Sequence, residues 1–136
     1  MTNTPNDDFK IQITRAFAQL YEAHPRTLLM GSDNLWDPPI TTADPDYTQK
    51  AAISGGTLTW LHRNGIVDGN LTAYMNGGVM VAGAQLTARG YRLAQKQEQN
   101  AGGISLGQLA ADTVASPSSP DATANFELIA RRITED

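Results

Sequence analysis

The chain has 136 residues, of which 40% are hydrophobic and 18% charged, a composition typical of one globular domain. It contains no cysteine, which excludes disulfide bonds, thiolate metal sites and cysteine nucleophiles. The first eight residues are polar and acidic, so they do not predict a secretory signal. The longest apolar stretch, residues 79–84, is too short to cross a bilayer. We therefore expect a cytoplasmic protein without a membrane partner.

The net charge of −4 is distributed unevenly along the chain. Residues 1–46 carry three basic and seven acidic side chains, and residues 97–136 carry two basic and six acidic ones. Residues 47–96 carry five basic side chains against one acidic side chain. A local basic field is what contact with phosphate requires, whatever the total charge. The middle of the chain is therefore the segment in which the sequence supports contact with nucleic acid.

The N-terminal third predicts one helix followed by a short extended segment and a loop. Hydrophobic side chains recur at helical spacing after the aspartates at 7–8, either of which can cap the helix. His24-Pro25 ends this helix, because the residue before a proline is pushed out of the helical region. Residues 27–30 predict an extended segment. Residues 31–46 predict a loop with one helical turn at 33–36.

A second helix is predicted to end at Asn64-Gly65, where the glycine can adopt the left-handed turn of a helix C-terminus. Its start is open: Asp44-Pro45 would begin one helix over about 46–64, whereas Ser54-Gly55-Gly56 could be a turn between two short helices. We favour one helix, although each internal glycine costs roughly 1 kcal/mol relative to alanine. One helix has a core face and a face of small side chains. The core face contains Tyr47, Ala51, Ser54, Leu58 and Leu61, and the small-residue face contains Ala52, Gly56, Thr59 and Arg63.

Residues 66–87 predict a β-hairpin, since two strand-like runs flank the strong reversal signal Asn76-Gly77-Gly78. Thr87 is placed to cap a third helix over about 88–98. Leu86 is expected to anchor the last strand on the core. Gly90 is expected to permit close packing of the helix against its neighbour.

We divide the chain into a core of residues 1–99 and a helical extension of residues 100–136 joined through Ala101-Gly102-Gly103. Ser105 and Gln108 predict a capping box for a helix over 106–115, and Ser119-Pro120 begins a last helix. Each helix has an apolar stripe, which it must bury either on the chain's own core or against a second copy. The stripes, which predict a homodimer interface, contain Leu106, Leu109, Val114, Phe126, Ile129 and Ile133.

Several short motifs occur in a defined order along the chain. They are Leu20-Tyr-Glu-Ala-His-Pro25, Trp60-Leu61 with Gly65-Ile66, Leu86-Thr87-x-x-Gly90-x-x-Leu93, and Ser105-Leu-Gly107. With the hairpin between the second and third motifs, this layout resembles the winged helix-turn-helix superfamily. It is also similar to uncharacterised bacterial and prophage-type proteins of that kind. The resemblance implies an α+β, mostly helical fold, with a winged helix-turn-helix core, a β-hairpin wing and C-terminal helices.

The resemblance further implies a DNA-binding transcriptional regulator, with the 46–64 helix in the major groove and the hairpin over the minor groove. Candidate contacts to double-stranded DNA are Lys50, Thr57, Thr59, Arg63, Tyr74, Asn76, Arg89 and Arg92. The hairpin carries no lysine or arginine between residues 71 and 85, although insertion into the minor groove normally uses arginine. The alternative is a winged-helix adaptor that binds protein and not DNA.

The sequence predicts neither catalysis nor a cofactor. His24 and His62 are far apart in the chain and have no carboxylate at ligand spacing, so we expect no metal site. No glycine is followed by Lys-Ser/Thr at the spacing of a phosphate-binding loop, and the glycines at 77–83 lie in the predicted hairpin. No catalytic triad can be argued from the serines and carboxylates. We therefore expect a binding protein that is not an enzyme.

Overall fold

The structure is a computed structural model that describes residues 4–135, without the side chain of Asn100. Within them it is an α+β fold, as predicted. The helices are α1 (Pro5–Ala23), α2 (Tyr47–Arg63), α3 (Ala88–Gln95), α4 (Leu106–Ala115) and α5 (Ala122–Glu135). The strands are β1 (Leu28–Gly31), β2 (Val67–Ala73), β3 (Val79–Leu86), β4 (Gln97–Glu98) and β5 (Ile104–Ser105). Two short 3-10 segments cover Ser32–Leu35 and Gln99–Ala101. No described helix is both long and apolar enough to cross a membrane.

Helix α1 is capped by Thr4, so the predicted cap at Asp7 or Asp8 is wrong. The Thr4 hydroxyl accepts a hydrogen bond from the Asp7 N–H at 3.1 Å, and the Asp7 carboxylate accepts one from the Thr4 N–H at 3.2 Å. This reciprocal box satisfies two N–H groups, and Pro5 occupies the first turn, where its missing N–H costs nothing. The hydrogen bonds from Thr4 lower the pKa of Asp7. The predicted end at His24-Pro25 is confirmed.

A three-stranded antiparallel sheet has the strand order β1-β3-β2. Strands β2 and β3 form the predicted hairpin. The predicted extended segment at 27–30 becomes β1, which pairs with the edge of β3 opposite β2. Val81 of β3 lies between Met30 of β1 and Leu71 of β2. Val81 and Met30 are buried and Leu71 is half-buried, so this face of the sheet packs on the core.

Helix α2 is one continuous helix, and its predicted end is confirmed by Gly65, which has φ +71°. It begins at Tyr47, two residues after the predicted start at Asp44-Pro45. The structure supplies a packing reason for one of the two internal glycines. A Cβ on Gly55 would lie 2.6 Å from the carbonyl oxygen of Gly77 and 3.1 Å from Val79 Cγ2. The hairpin therefore packs directly on the backbone of α2.

The C-terminal helices share one hydrophobic core with the rest of the described residues, so the part of the predicted 100–136 extension that the structure describes, up to residue 135, is not separate or freely linked. Helix α4 packs against α1 and α3, and α5 packs against α1 and α4. Gly102 and Gly103 both have positive φ, in a turn that joins the paired strands β4 and β5. A Cβ on Gly107 would lie 2.5 Å from the ring of Tyr21, so α4 approaches α1 closely. The glycine pair thus turns the chain back toward the core.

The apolar stripes predicted as a dimer interface lie inside the single chain. Ile129 and Ile133 are fully buried, and Leu106, Leu109 and Phe126 are no more than 8% exposed. Val114 is half-buried. Of the two alternatives at the sequence level, burial on the chain's own core is the arrangement that the structure has. The physical reason is that α1 presents a long buried face, which α4 and α5 cover.

Candidate interaction surface on α2 and the hairpin

The two faces predicted for α2 are confirmed by burial. Each residue of the core face is at most 7% exposed. On the opposite face Ala52, Gly56 and Arg63 are exposed and Thr59 is half-buried. The helix therefore presents to solvent a strip of small side chains that ends in one arginine.

Gly56 differs from its neighbour Gly55 in having no reason within the chain to be glycine. A Cβ placed on Gly56 would meet no atom of the described residues within 4 Å, apart from its chain neighbours and the nearby backbone of its own helix. A glycine in a helix interior costs about 1 kcal/mol relative to alanine, because it loses more backbone freedom on folding. Glycine at position 56 therefore leaves the exposed strip without a protruding side chain, at a small cost in stability. This is consistent with close approach of another molecule.

The hairpin turn lies beside the N-terminal half of α2. A Cβ on Gly77 would lie 3.9 Å from the backbone nitrogen of Ala52. On this turn Tyr74 is 51% exposed and Met75 is fully exposed. We call the exposed side chains of the helix strip and the turn the α2–hairpin surface; it contains Gln49, Ala52, Gly56, Arg63, Tyr74 and Met75.

A chain of hydrogen bonds fixes the hairpin turn to the start of α2. The Tyr47 hydroxyl donates to the Asp33 carboxylate at 3.0 Å, and the Asn76 amide donates to the Tyr47 oxygen at 3.3 Å. The backbone N–H of Val79 donates to the Ser32 hydroxyl at 3.0 Å. Burial raises the pKa of Tyr47, and the hydrogen bond to Asp33 raises it further. The turn is therefore tied to the start of α2 by side-chain hydrogen bonds.

This network was missed at the sequence level. From the sequence, Tyr47 is predicted only to lie on the core face of α2, and Asp33 only to lie in a helical turn. No local signal connects Asp33, Tyr47 and Asn76, because their hydrogen bonds join positions 14 and 29 residues apart. The network also changes the role of Asn76, a predicted DNA contact. Its amide oxygen accepts from the Gly78 N–H at 2.9 Å, so both ends of the side chain hold the turn.

The threonines predicted as DNA contacts use their hydroxyls within α2. Thr57 is fully buried and donates to the carbonyl oxygen of Ile53 at 2.8 Å, so it cannot contact DNA and that prediction is wrong. Thr57 follows Ser54 by three positions and precedes Leu61 by four, which places it on the core face. Thr59 is half-buried and donates to the carbonyl oxygen of Gly55 at 2.8 Å.

Three basic side chains of the middle segment lie at the two ends of α2, and the predicted DNA contact Arg92 is exposed on α3. Lys50, near the start, lies 3.4 Å from the Asp46 carboxylate and 5.1 Å from the centroid of the Trp36 ring. At the far end Arg63 is exposed, and Arg89 donates a hydrogen bond to the carbonyl oxygen of Asn64. Thirteen residues of helix separate Lys50 from Arg63, which is about 20 Å. These cations therefore do not meet in one cluster.

Both histidines have partners within the chain. The Nε2 atom of His62 lies 2.9 Å from the carbonyl oxygen of Gly69, where it can hold the start of the hairpin. The ring of His24 stacks on Tyr91, with centroids 4.0 Å apart. Across residues 4–135 no group of three or more histidine, aspartate or glutamate side chains is arranged to hold a metal ion.

Comparisons with known proteins identify no relative of this chain. No protein-family model, no curated protein and no solved structure matches it. Its function therefore has to be inferred from its own residues. Among the described residues, the α2–hairpin surface combines exposed small side chains with a turn that is hydrogen-bonded to the helix.

Proposed function

We propose that this chain is a small winged helix-turn-helix protein that binds duplex DNA, as a transcriptional regulator of bacterial or prophage type. The order of α2, the β2–β3 hairpin and α3 supports the winged-helix assignment, as does the position of the hairpin beside α2. One departure is the element before α2. It is a 3-10 segment at Ser32–Leu35 followed by a loop, where a helix-turn-helix has a full helix.

The observation that carries this proposal is the exposed strip of small side chains on α2 beside a hairpin turn that is hydrogen-bonded to the start of the helix. In helix-turn-helix proteins the N-terminal residues of the recognition helix contact base edges in the major groove. Gln49 is exposed in this part of α2, and a glutamine amide can pair with adenine through two hydrogen bonds. Ala52 and Gly56 follow on the same face, where small side chains would let the helix backbone approach the bases.

The placement of the cations predicts weak binding with a shallow salt dependence. Arg63 is exposed, and the surface ion pair between Lys50 and Asp46 is worth little, so Lys50 can exchange its partner for a phosphate. With two phosphate contacts, the logarithm of the binding constant should fall with the logarithm of salt concentration with a slope of about −2. Arg89 already donates a hydrogen bond to the carbonyl oxygen of Asn64 at the end of α2, so it is not counted as a phosphate contact.

The proposal is tested by fluorescence anisotropy of a labelled mixed-sequence duplex titrated with the chain over a series of salt concentrations. Arg63→Ala should weaken binding and make the slope shallower by about one unit. Gly56→Leu should abolish binding with the fold intact, because its side chain would point into open space. The matched control is Arg131→Ala, an exposed arginine on α5.

Two results would refute DNA binding through this surface. One is the absence of binding at tens of micromolar protein in low salt. The other is an equal loss of affinity in Arg63→Ala and Arg131→Ala, because the effect would then be that of net charge alone.

The second candidate is a winged-helix adaptor that binds protein, and the exposed hairpin turn favours it. Met75 is fully exposed and Tyr74 half-exposed, and no cation accompanies them on the hairpin. Exposed apolar side chains that meet a low helix face suit an uncharged partner helix. A photoreactive residue at position 75 should then cross-link a protein in cells, and Gly56→Leu should remove that product. A product that survives Gly56→Leu, or that also forms from position 131, would contradict this candidate.

A further inference from the structure

A cavity of about 480 Å³ lies between α1, the end of α4 and the start of α5. Its volume falls within the roughly 300–1,000 Å³ typical of sites for small molecules. Its apolar wall is formed by Ile11, Val114, Pro117 and Phe126. None of its lining residues belongs to α2 or the hairpin, so an inference drawn from this cavity does not rest on the proposed function.

Among the charged side chains that line the cavity, Arg15 has no carboxylate partner from the lining itself within the described residues. The Asp7 carboxylate is engaged in the cap of α1, and Glu127 Oε1 lies 4.0 Å from Lys10 Nζ. Arg15 is half-buried, and its Nε atom is buried with no hydrogen-bond partner among the described residues. Burial lowers the pKa of Arg15, and the charge of Asp37 opposes this only in part. Arg15 thus lines a partly apolar cavity, with its Nε atom covered by the protein.

The planar guanidinium matches a carboxylate, which can accept two parallel hydrogen bonds from it. The part of the guanidinium that lines the cavity would therefore hold the carboxylate of a ligand. Asp7 and Glu127 also line the cavity and would disfavour a doubly charged group such as phosphate. We propose that this cavity binds a small monocarboxylate with an apolar body, the carboxylate on Arg15 and the body against Val114 and Phe126.

The proposal is tested on the full chain by NMR titration with phenylbutyrate and with its neutral amide, phenylbutyramide. Phenylbutyrate should produce saturable shifts at Ile11, Val114, Phe126 and the Arg15 Nε–H, and should bind at least about tenfold more tightly than the amide. Equal affinities for the two probes would overturn the proposal. So would shifts that do not saturate or that lie away from the cavity.

Arg15→Met keeps the apolar stem and removes the charge. It should remain folded by circular dichroism, with an unchanged or higher Tm, and should lose the preference for the carboxylate. Arg15→Lys, which keeps the charge without the planar fork, should show an intermediate preference. Arg131→Met, on the exposed side of α5, is the control and should bind as the wild type does. If Arg15→Met keeps the preference, the proposal is wrong; if it fails to fold, the ratio of the two affinities on the wild type decides.

Discussion

Gly55 and Gly56 are adjacent in the chain but have opposite surroundings. The space that a side chain on Gly55 would need is taken by the carbonyl oxygen of Gly77, whereas a side chain on Gly56 would point into solvent. One glycine is therefore required by folding, and the other is available for contact with another molecule. This difference separates effects on stability from effects on binding at neighbouring positions of one helix.

Alanine at these two positions should change stability in opposite directions. Gly55→Ala should lower the free energy of unfolding by about 1–3 kcal/mol, because its Cβ would meet backbone that cannot easily move. Gly56→Ala should raise it by about 1 kcal/mol through the helix propensity of alanine. Urea denaturation of both variants measures these values. A Gly55→Ala chain as stable as the wild type would contradict the packing of the hairpin on α2.

Tyr47 should make stability depend on alkaline pH. Its pKa is raised in the folded chain by burial first and by Asp33 second, so the folded state holds this proton more tightly than the unfolded state does. The resulting stability is fully present below the unfolded pKa of about 10 and is lost as pH rises through the folded pKa. Tyr47→Phe should remove this component, which urea denaturation over a pH series would show. An identical alkaline decline in the wild type and Tyr47→Phe would refute it.

At the scale of elements, the least expected feature is the docking of α4 and α5 on α1. Their apolar stripes are covered by the first helix of the chain, and Glu98 between α3 and α4 accepts two hydrogen bonds from Arg132 of α5 at 2.9 and 3.3 Å. Glu98 is buried, so this pairing helps to satisfy a charge in the interior. The C-terminal helices therefore complete the core.

A core substitution in α5 tests this docking. Ile129→Ala should lower the free energy of unfolding by about 2–5 kcal/mol, since Ile129 is fully buried. Arg131→Ala, two residues along on the exposed side, should change it by less than about 0.5 kcal/mol. Thermal or urea denaturation followed by circular dichroism measures both. If Ile129→Ala has no larger effect than Arg131→Ala, α5 is not part of the cooperative fold.

At the scale of the whole molecule, the burial of both stripes, with only Val114 half-buried, leaves them too little surface for self-association. Light scattering at high micromolar concentration should therefore give the monomer mass of 14.6 kDa. Ile129→Asp should unfold the chain and not convert a dimer into a folded monomer, because this side chain lies in the monomer core. A stable dimer that Ile129→Asp dissociates into folded monomers would show that the stripes are an interface after all.

The sequence by itself predicted the elements whose signals are local. The end of α2 at Gly65, the hairpin turn at 74–78, and the caps of α3 and α4 at Thr87 and Ser105 follow from side chains within a few positions of each other. The predicted capping box of α4 is only half formed, because the Gln108 side chain donates to Asp112. The two faces of α2 also follow from the helical period alone. The cap of α1 was missed because Thr4 competes with two aspartates for the same role.

Only the tertiary structure decided which groups meet across the chain. Periodicity shows that α4 and α5 each have an apolar stripe, but it cannot say whether α1 or a second copy covers it, since burial is not directional. Similarly, a basic count over 47–96 does not reveal that Arg89 of α3 donates a hydrogen bond to the carbonyl oxygen of Asn64 at the end of α2. The contacts of Tyr47 with Asp33 and Asn76, and the unpartnered Nε of Arg15, depend on elements far apart in sequence packing side by side.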